Sequence, residues 1–467
     1  MRNTTLKDAV MRFLPRVQTP AQYLGGELNS IVKDHRQVRG KLCLAFPDAY
    51  TLGMSHHGLQ VLYTIMNNDP QWACERAFTP WTDFEAEMRK HELPLYSLET
   101  FTPLCDFDVV GFSLQYEVCY TNVLTMLDLG RIPLHAKDRT LEHPLVIAGG
   151  PGAQNPELLA PFIDLFIIGD GEESLPWLMD KWISIKERGD QSRADMLAEL
   201  VRSASWAWAY APQFYEPEYH ADGTIAAINR TRSDVPREIR ACTIEQDFDA
   251  IPLPTKPVVP FVETPHDRIA LEIMRGCPWQ CRFCQSTVIK RPLRVRSVET
   301  IEQAALESYR NTGHREISLL SLSTSDYPYF EELVNRMHEV FMPLGVSISL
   351  PSLRVNHQLK SLPKLMKGVR KSGLTLAPEV ARDDMREQIR KPIKNDDLFE
   401  GCREAFKAGW QKVKLYFLCG LPGERQVDLD GILDLAETIS RIGKEVRGRY
   451  VEVTASVSNF VPKPHTP

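Results

Sequence analysis

The segment Leu271-Glu-Ile-Met-Arg-Gly-Cys-Pro-Trp-Gln-Cys-Arg-Phe-Cys-Gln-Ser-Thr287 carries cysteines at Cys-x3-Cys-x2-Cys spacing, namely Cys277, Cys281 and Cys284. Its first four residues predict a buried strand, which Gly276 and Pro278 break into a tight loop. Three thiolates on one short loop can hold one inorganic centre. Because four ligands complete a structural zinc site or an ordinary [4Fe–4S] cluster, three cysteines would leave one iron of a cubane open.

Zinc and a disulfide are the alternative interpretations of this motif. Structural zinc loops usually pair two Cys-x2-Cys or Cys-x2-His units, and the sequence has no second unit and no histidine at finger spacing. The preceding strand favours iron, because β/α barrels carry out chemistry at the carboxyl ends of their strands. The pattern therefore predicts an iron–sulfur cluster with three protein ligands.

With the aromatic Phe283 directly before its last cysteine, the motif resembles the signature of the radical SAM superfamily. The resemblance implies that Cys277, Cys281 and Cys284 bind a [4Fe–4S] cluster whose open iron chelates S-adenosylmethionine. It implies that one electron from the cluster cleaves the sulfonium to give a 5′-deoxyadenosyl radical. It also implies an electron donor such as flavodoxin or ferredoxin, and it leaves the substrate and the reaction outcome unidentified.

Length, composition and charge limit the classes of protein to which the chain can belong. The chain has 467 residues, 43% of them hydrophobic, and this length predicts two domains with sizeable cores. A net charge of −6 argues against broad binding of nucleic acid but leaves room for a local basic patch. The sequence has no apolar run of about twenty residues that would cross a membrane and no apolar signal segment. Ten scattered cysteines suit a reducing, cytoplasmic setting.

The chain divides into two α/β regions joined by a proline-rich stretch. Strands alternate with helices in both regions, so each is predicted to contain a parallel sheet. The predicted order is a lead-in at 1–40, a doubly wound parallel-sheet domain at 41–180, a section of helices, hairpin and proline-rich linker at 181–260, and a partial (β/α)6 barrel at 261–467. Because the last predicted strand has no helix after it, we expect the barrel to continue beyond residue 467.

Loops at the carboxyl ends of the first domain's strands are candidate binding loops. They resemble a cobalamin-binding domain, which has Asp-x-His-x-x-Gly after its first strand, a serine-containing loop and a late Gly-Gly. The matching residues are Asp48, Gly53, Ser113, Gly149 and Gly150. Tyr50 replaces the cobalt-ligating histidine, and a phenol is a poor ligand. His56 and His57 could replace it as ligands, but we expect them to cap the next helix or face solvent. The domain either holds cobalamin, as a methyl carrier, or is a retained shell that recognises substrate.

The two regions together resemble large bacterial radical SAM proteins that have an N-terminal cobalamin-binding-like domain. This resemblance covers nearly the whole chain, but it does not identify the substrate of this protein. The matching runs are Gly53–Gln60, Gly111–Glu117, Ala148–Pro151 and Gly169–Glu173.

The second region has six predicted strands, at 270–275, 315–321, 345–350, 373–377, 412–418 and 451–457. Polar residues or glycine follow four of them and are candidate contacts for S-adenosylmethionine, since ligands bind at the carboxyl ends of such strands. These candidates are Ser321, Ser323, Ser352, Arg354, Glu379 and Gly420. By resemblance, the loop with Ser321 binds the methionine amino group, and the region around Gly420 packs on adenine. The alternative for each candidate is a helix cap or an exposed loop end.

Two other functions remain open. One is a non-catalytic scaffold that keeps a vestigial cluster. The other is an RNA-modifying enzyme of the methylthiotransferase type, which typically needs a second cluster held by three more cysteines in an N-terminal domain. The basic run Lys290–Arg296 is either a phosphate-binding stretch or a solvated loop anchored by surface carboxylates. The N-terminal cysteines are spread out rather than clustered, at Cys43, Cys74, Cys105 and Cys119.

Overall fold

The computed structural model describes residues 3–244, 247–350 and 374–467. The chain divides into two compact units, Met1–Asp267 and Arg268–Pro467. Within the described residues, no helix combines the length and the apolar character that crossing a membrane requires.

The first unit alternates strands with helices over most of its length. Its strands are β1 (Gly40–Phe46), β2 (Trp72–Phe78), β3 (Val109–Ser113), β4 (Leu145–Gly149), β5 (Leu165–Ile167), β6 (Ala209–Tyr210), β7 (Tyr215–Tyr219) and β8 (Ile225–Arg230). Its helices are α1 (Thr4–Met11), α2 (Tyr50–Met54), α3 (His57–Asn68), α4 (Thr82–Lys90), α5 (Tyr120–Leu129), α6 (Gly171–Arg188) and α7 (Arg193–Ser203).

A six-stranded sheet in the order β2-β1-β3-β4-β5-β6 organises this unit. Every neighbouring pair is parallel except β5 with β6. The first five strands have the flavodoxin-like order, in which ligands bind where the strand order reverses, between β1 and β3. The predicted doubly wound sheet is therefore confirmed. The separate hairpin of β7 and β8 turns at Asp222-Gly223 as predicted.

The proline-rich stretch before residue 261 packs on the first unit. Val258 is buried in its core, and the Val259 amide donates a 3.0 Å hydrogen bond to the Leu28 carbonyl. The Asn29 side chain donates to the Pro257 carbonyl at 3.0 Å. These contacts fix the stretch against the residues that lead into β1.

The edge strand β2 is absent from the sequence prediction because charged residues interrupt its apolar run. All seven of its residues are buried, including Glu75 and Arg76. The Arg76 guanidinium meets Glu99 Oε1 at 2.6 Å and Glu27 Oε2 at 3.2 Å. Glu75 accepts hydrogen bonds from Ser97 and Thr100. These charges can be buried because each is paired with an opposite charge or accepts hydrogen bonds.

Glu99 gives this network a pH dependence. Burial raises the pKa of Glu99 to about 7, against the opposing attraction of Arg76. A carboxyl whose pKa is higher in the folded chain than in the unfolded chain favours folding at low pH, and that contribution is lost as pH rises through the folded value.

In Glu99→Gln, the local free energy of unfolding is therefore expected to fall less between about pH 5 and pH 8 than in the wild type. The two proteins should differ in this fall by an amount on the order of 3 kcal/mol. Hydrogen exchange of the β2 amides across this range measures the effect, and Glu142→Gln, an exposed position, is the control. Equal slopes in the wild type and in Glu99→Gln would contradict the assignment.

The second unit carries parallel strands in two groups. Its strands are β9 (Ile269–Glu272), β10 (Met274–Arg275), β11 (Arg294–Val295), β12 (Glu316–Leu320), β13 (Ser347–Ser349), β14 (Leu374–Glu379), β15 (Lys412–Cys419) and β16 (Glu452–Asn459). Its helices are α8 (Ser286–Ile289), α9 (Val298–Thr312), α10 (Phe330–Phe341), α11 (Asp383–Gln388), α12 (Asn395–Lys407) and α13 (Gln426–Arg447).

All six predicted barrel strands are present, as β9, β12, β13, β14, β15 and β16. They pair in parallel in the orders β13-β12-β9 and β14-β15-β16. Helices α9, α10, α12 and α13 alternate with these strands as predicted, and the helix that the alternation predicts at 358–370 lies outside the described residues. The β/α alternation of a radical SAM barrel is thus confirmed wherever the structure describes it.

Candidate functional site

The three cysteines lie in a long excursion between two short strands. β10 and β11 form an antiparallel ribbon, so residues 276–293 leave and return at one point; we call these residues the cysteine loop. Gly276 begins the loop with φ of +91°, and a Cβ there would lie 2.6 Å from the Lys290 carbonyl oxygen. Only glycine therefore fits at the base of the loop.

Thiol burial within the cysteine loop is uneven. Cys281 is buried, whereas Cys277 and Cys284 are half-buried. All ten cysteines of the chain lie in described segments and remain thiols rather than disulfides. Local hydrogen bonds hold the turn, with the Cys284 amide donating to the Cys281 carbonyl at 3.1 Å.

Thiols on one loop are the donors that an iron–sulfur cluster takes. Among the described residues, no three histidine, cysteine or acidic side chains converge as ligands of one metal ion. A cubane does not require such convergence, because each thiolate binds a different iron. The residues present therefore fit a cluster with three protein ligands.

Two arginines of the basic run after the cysteines bind the backbone of their own loop. Arg291 donates to the Thr287 carbonyl at 2.7 Å, and Arg294 donates to the Pro292 carbonyl at 3.1 Å. Arg294 and Arg296 are buried. A phosphate-binding role for the run and its anchoring by surface carboxylates both stay predictions.

A half-buried carboxylate, that of Asp326, joins the cysteine loop to the loop after β12. Asp326 Oδ2 accepts hydrogen bonds from the Trp279 indole at 2.6 Å and from the Ser323 hydroxyl at 2.5 Å. Ser321 holds the same loop through the Ser323 amide, at 3.2 Å. Helix α10 begins only at Phe330, without a side-chain cap. Asp326 is therefore not a helix cap, and it orients the segment between the first two cysteines.

Replacing Trp279 with phenylalanine keeps the ring and removes the hydrogen bond to Asp326. Supporting contacts of metal ligands affect metal retention by 10-fold or more, so we expect about tenfold faster loss of iron to a chelator. The measurement is iron per chain against time in anaerobic protein. Trp81→Phe, at an exposed position in the first unit, is the control and should leave the rate unchanged.

The cysteine loop also contacts the segment that follows β14. The Arg282 amide donates to the Ile389 carbonyl at 3.0 Å, and the Phe283 ring packs beside Ile389 and its apolar neighbours. The Lys391 ammonium lies 5.9 Å from the centre of the Phe283 ring and 3.1 Å from Glu379 Oε1. Glu379 thus lies at the strand end as predicted, and its carboxylate is paired with Lys391.

Gly420 lies directly after β15, with φ of +89° and open space where a Cβ would stand. Its amide donates to both carboxylate oxygens of Glu424, at 3.1 and 3.0 Å. Leu421, the next residue, belongs to the apolar cluster that Phe283 contacts. Ser352 and Arg354 lie outside the described residues. The loops after β12, β14 and β15 therefore all lie close to the cysteine loop or to its direct contacts.

The first unit has its own candidate edge, where β1 and β3 end. Asp48 follows β1, and its carboxylate accepts a hydrogen bond from the Tyr116 hydroxyl after β3. Burial, followed by the contact with Asp48, raises the pKa of Tyr116. Ser113 ends β3 and accepts from the Gln115 side chain at 2.8 Å. Asp48 and Ser113 thus lie at the switch point, as their sequence positions predict.

The predicted glycines of this edge have different roles. A Cβ at Gly150, where φ is +96°, would lie 2.6 Å from the Leu114 carbonyl oxygen, so the chain needs glycine there. Gly149 has room for a side-chain atom, its nearest neighbour being 3.8 Å away. A Cβ at Gly53 would lie 2.2 Å from the Phe78 ring. Gly53 therefore permits α2 to pack on β2, and a ligand role for it has no support in these contacts.

Tyr50, at the position of the cobalt-ligating histidine, points into the core. Its hydroxyl donates to Glu27 Oε1 at 3.1 Å and accepts from the Phe261 amide at 3.4 Å. Burial raises the pKa of Tyr50. His56 caps α3, its Nδ1 accepting from the Leu59 amide at 3.1 Å, which confirms the expected capping role.

Two family models match the chain. The model of the N-terminal region of radical SAM proteins matches residues 58–212, and that of the radical SAM superfamily matches residues 271–436. Together they span more than half of the chain, and the second contains all three cysteines of the loop. The chain belongs to the radical SAM superfamily and is a radical SAM enzyme.

Similar proteins include two relatives in sequence and two solved structures. An uncharacterized protein of Methanocaldococcus jannaschii is 28% identical over 384 residues, 82% of this chain and 72% of that protein. A ribosomal protein uS12 methylthiotransferase of Prochlorococcus marinus is 24% identical over 178 residues, 36% of this chain and 38% of that protein.

The structure of TsrM, a radical S-adenosylmethionine methyltransferase from Kitasatospora setae with cobalamin and a [4Fe–4S] cluster bound, has a TM-score of 0.55 at 12% identity, over 90% of this chain and 75% of that one. The cobalamin-dependent radical enzyme OxsB has a TM-score of 0.57 at 12% identity, over 92% of this chain and 60% of that one. At such identity these likenesses establish the fold, including its N-terminal unit.

Proposed function

We propose that Cys277, Cys281 and Cys284 hold a [4Fe–4S] cluster at which S-adenosylmethionine is cleaved, and that a corrinoid bound by the first unit takes part in transfer of a methyl group to the substrate. The observation that carries the proposal is the cysteine loop, closed by the β10–β11 ribbon and tied to loops after β12 and β14. When bound, the cluster supplies the electron that breaks the sulfonium bond.

The chain's own residues would bind and orient S-adenosylmethionine around this loop. Ser321 offers a half-buried hydroxyl after β12, and Glu379 offers a carboxylate restrained by Lys391. Gly420, with open space on its Cα, would let the adenine approach the backbone. Phe283 anchors the loop through apolar packing, which keeps the thiols in place and limits the access of water. A reducing cytoplasm, with flavodoxin or ferredoxin as donor, suits such a centre.

Polar groups and a glycine at the edge of the first unit support corrinoid binding there. Asp48 and Ser113 supply polar groups where the strand order reverses, and Gly150 keeps the backbone free of a side chain. Tyr116 and Val118 leave apolar surface exposed in the loop after β3, Val118 to 83%. Tyr50 is buried, so no side chain from that position would reach the cobalt.

The methylthiotransferase alternative is disfavoured by the N-terminal thiols. Cys43 and Cys74 are fully buried within β1 and β2, and burial raises the pKa of both well above the usual value for a thiol. A second cluster needs exposed thiolates that can converge on it. The identity with the uS12 enzyme therefore supports shared radical chemistry rather than a shared product.

The experiment is anaerobic reconstitution followed by two assays. Reduced protein should form 5′-deoxyadenosine or demethylated S-adenosylmethionine, whereas a scaffold would form neither. Titration with hydroxocobalamin should shift the corrinoid spectrum, and Val118→Glu should weaken this binding. The control is Leu141→Glu, which is also an exposed apolar residue (48%) but lies before β4, at the opposite edge of the sheet. Cleavage without any corrinoid binding would remove the methyl-carrier role and leave hydrogen abstraction.

A further inference from the structure

The strands β14, β15 and β16 have one face packed on helices and one face exposed. On β15, Val413, Leu415 and Phe417 are buried in a core that includes residues of α12 and α13. Because side chains alternate along a strand, Lys414 and Tyr416 lie on the opposite face. We call this the open face, and its residues are Thr375, Lys414, Tyr416, Thr454 and Ser456.

The open face differs from an ordinary barrel interior. Barrel interiors are filled mainly by valine, isoleucine and leucine, and parallel strands are usually apolar on both faces. Here Thr375, Lys414 and Thr454 form one row across the three strands, and all three are exposed. A row of donors in place of packed aliphatic side chains indicates a surface that meets a polar ligand.

Lys414 at the centre of the row has its ammonium available. It lies 5.1 Å from the centre of the Tyr416 ring, and no described carboxylate is within ion-pair distance. The two threonine hydroxyls make no hydrogen bond to another described residue. By contrast Lys412, on the same face, pairs with Glu452 at 2.7 Å. Neighbouring strands are about 4.8 Å apart, so one ammonium and two hydroxyls can reach a single oxyanion.

We propose that the Thr375–Lys414–Thr454 row binds an oxyanion of the substrate, a carboxylate or a phosphate, and that the Tyr416 ring contacts the carbon skeleton attached to it. The inference rests on the proposed function, because it places the substrate on the inner face of the domain that carries the cysteine loop. It narrows the substrate to molecules that carry an anionic group.

Fluorine NMR of the reconstituted holoenzyme tests this assignment with three probes of one shape. These are 4-fluorobenzoate, 4-fluorophenyl phosphate and the neutral 4-fluorobenzyl alcohol. We expect one anionic probe to bind the wild type, and the better of the two identifies the oxyanion. Lys414→Gln should weaken that probe about tenfold or more, since a charge-assisted hydrogen bond is lost. Lys414→Arg should restore much of the affinity.

Lys412→Gln is the matched control, since it removes a paired lysine from the same strand and face, and it should bind as the wild type does. Equal binding by wild type and Lys414→Gln, or equal binding of the neutral probe, would overturn the assignment. Formation of 5′-deoxyadenosine is read in parallel. Lys412→Gln should keep it, because Lys412 lies outside the proposed binding row and pairs with Glu452. Wild-type protein that binds the anion but never cleaves S-adenosylmethionine would instead refute the proposed function.

Discussion

Cys281→Ala is expected to abolish the visible absorbance of the reconstituted cluster and to reduce the formation of 5′-deoxyadenosine to background. Cys281 is the buried member of the three thiols, in the middle of the motif, and its loss leaves two ligands for a centre that already lacks a fourth. The measurements are iron and sulfide per chain, the optical spectrum and product formation under strict exclusion of oxygen.

Cys419→Ala is the matched control for this substitution. Cys419 is a half-buried thiol at the carboxyl end of β15. Burial raises its pKa, which keeps it a thiol rather than a thiolate ligand. The Cys419→Ala protein should therefore assemble a full cluster. A Cys281→Ala protein with unchanged iron content, or one that takes up zinc stoichiometrically, would refute the three-cysteine assignment.

Arg76→Met is expected to destabilise the first unit by about 3–5 kcal/mol, because it leaves Glu27 and Glu99 as buried carboxylates without their cation. Both carboxylates and the guanidinium are at most 3% exposed, so water cannot replace the lost partner. Denaturant unfolding, followed by tryptophan fluorescence and by hydrogen exchange of β2, measures the loss.

An exposed arginine provides the comparison. Arg202 pairs with Asp234 at 2.7 Å, but half of its side chain is exposed, and Arg202→Met should cost less than about 1 kcal/mol. Combining Arg76→Met with Glu99→Gln should cost less than the sum of the two single changes, because the second change removes one uncompensated charge. Strict additivity would show that these groups do not interact.

The sequence predicted the barrel strands well because their composition is unambiguous. All but the last are short, largely apolar runs followed by turn residues and an amphipathic helical pattern, so the hydrophobic period and the turn residues indicate the same boundaries. β2 was missed because Glu75 and Arg76 interrupt its apolar pattern, and only their distant partners make the strand buried. The contacts of the basic run after the cysteines could not be predicted for a related reason, since the backbone carbonyls that receive Arg291 and Arg294 are not visible in a list of residue types.

The spacing of three cysteines after a strand favoured an iron–sulfur cluster, and the family resemblance that it carries predicted the class of enzyme, because ligand number and loop length are local properties. Tertiary structure decided what surrounds them. In the folded chain, Asp326 accepts a hydrogen bond from the Trp279 indole, Tyr50 is buried in the core, and Lys414 is exposed on the open face. These assignments depend on groups far apart in the chain that meet only after folding, so no local pattern could encode them.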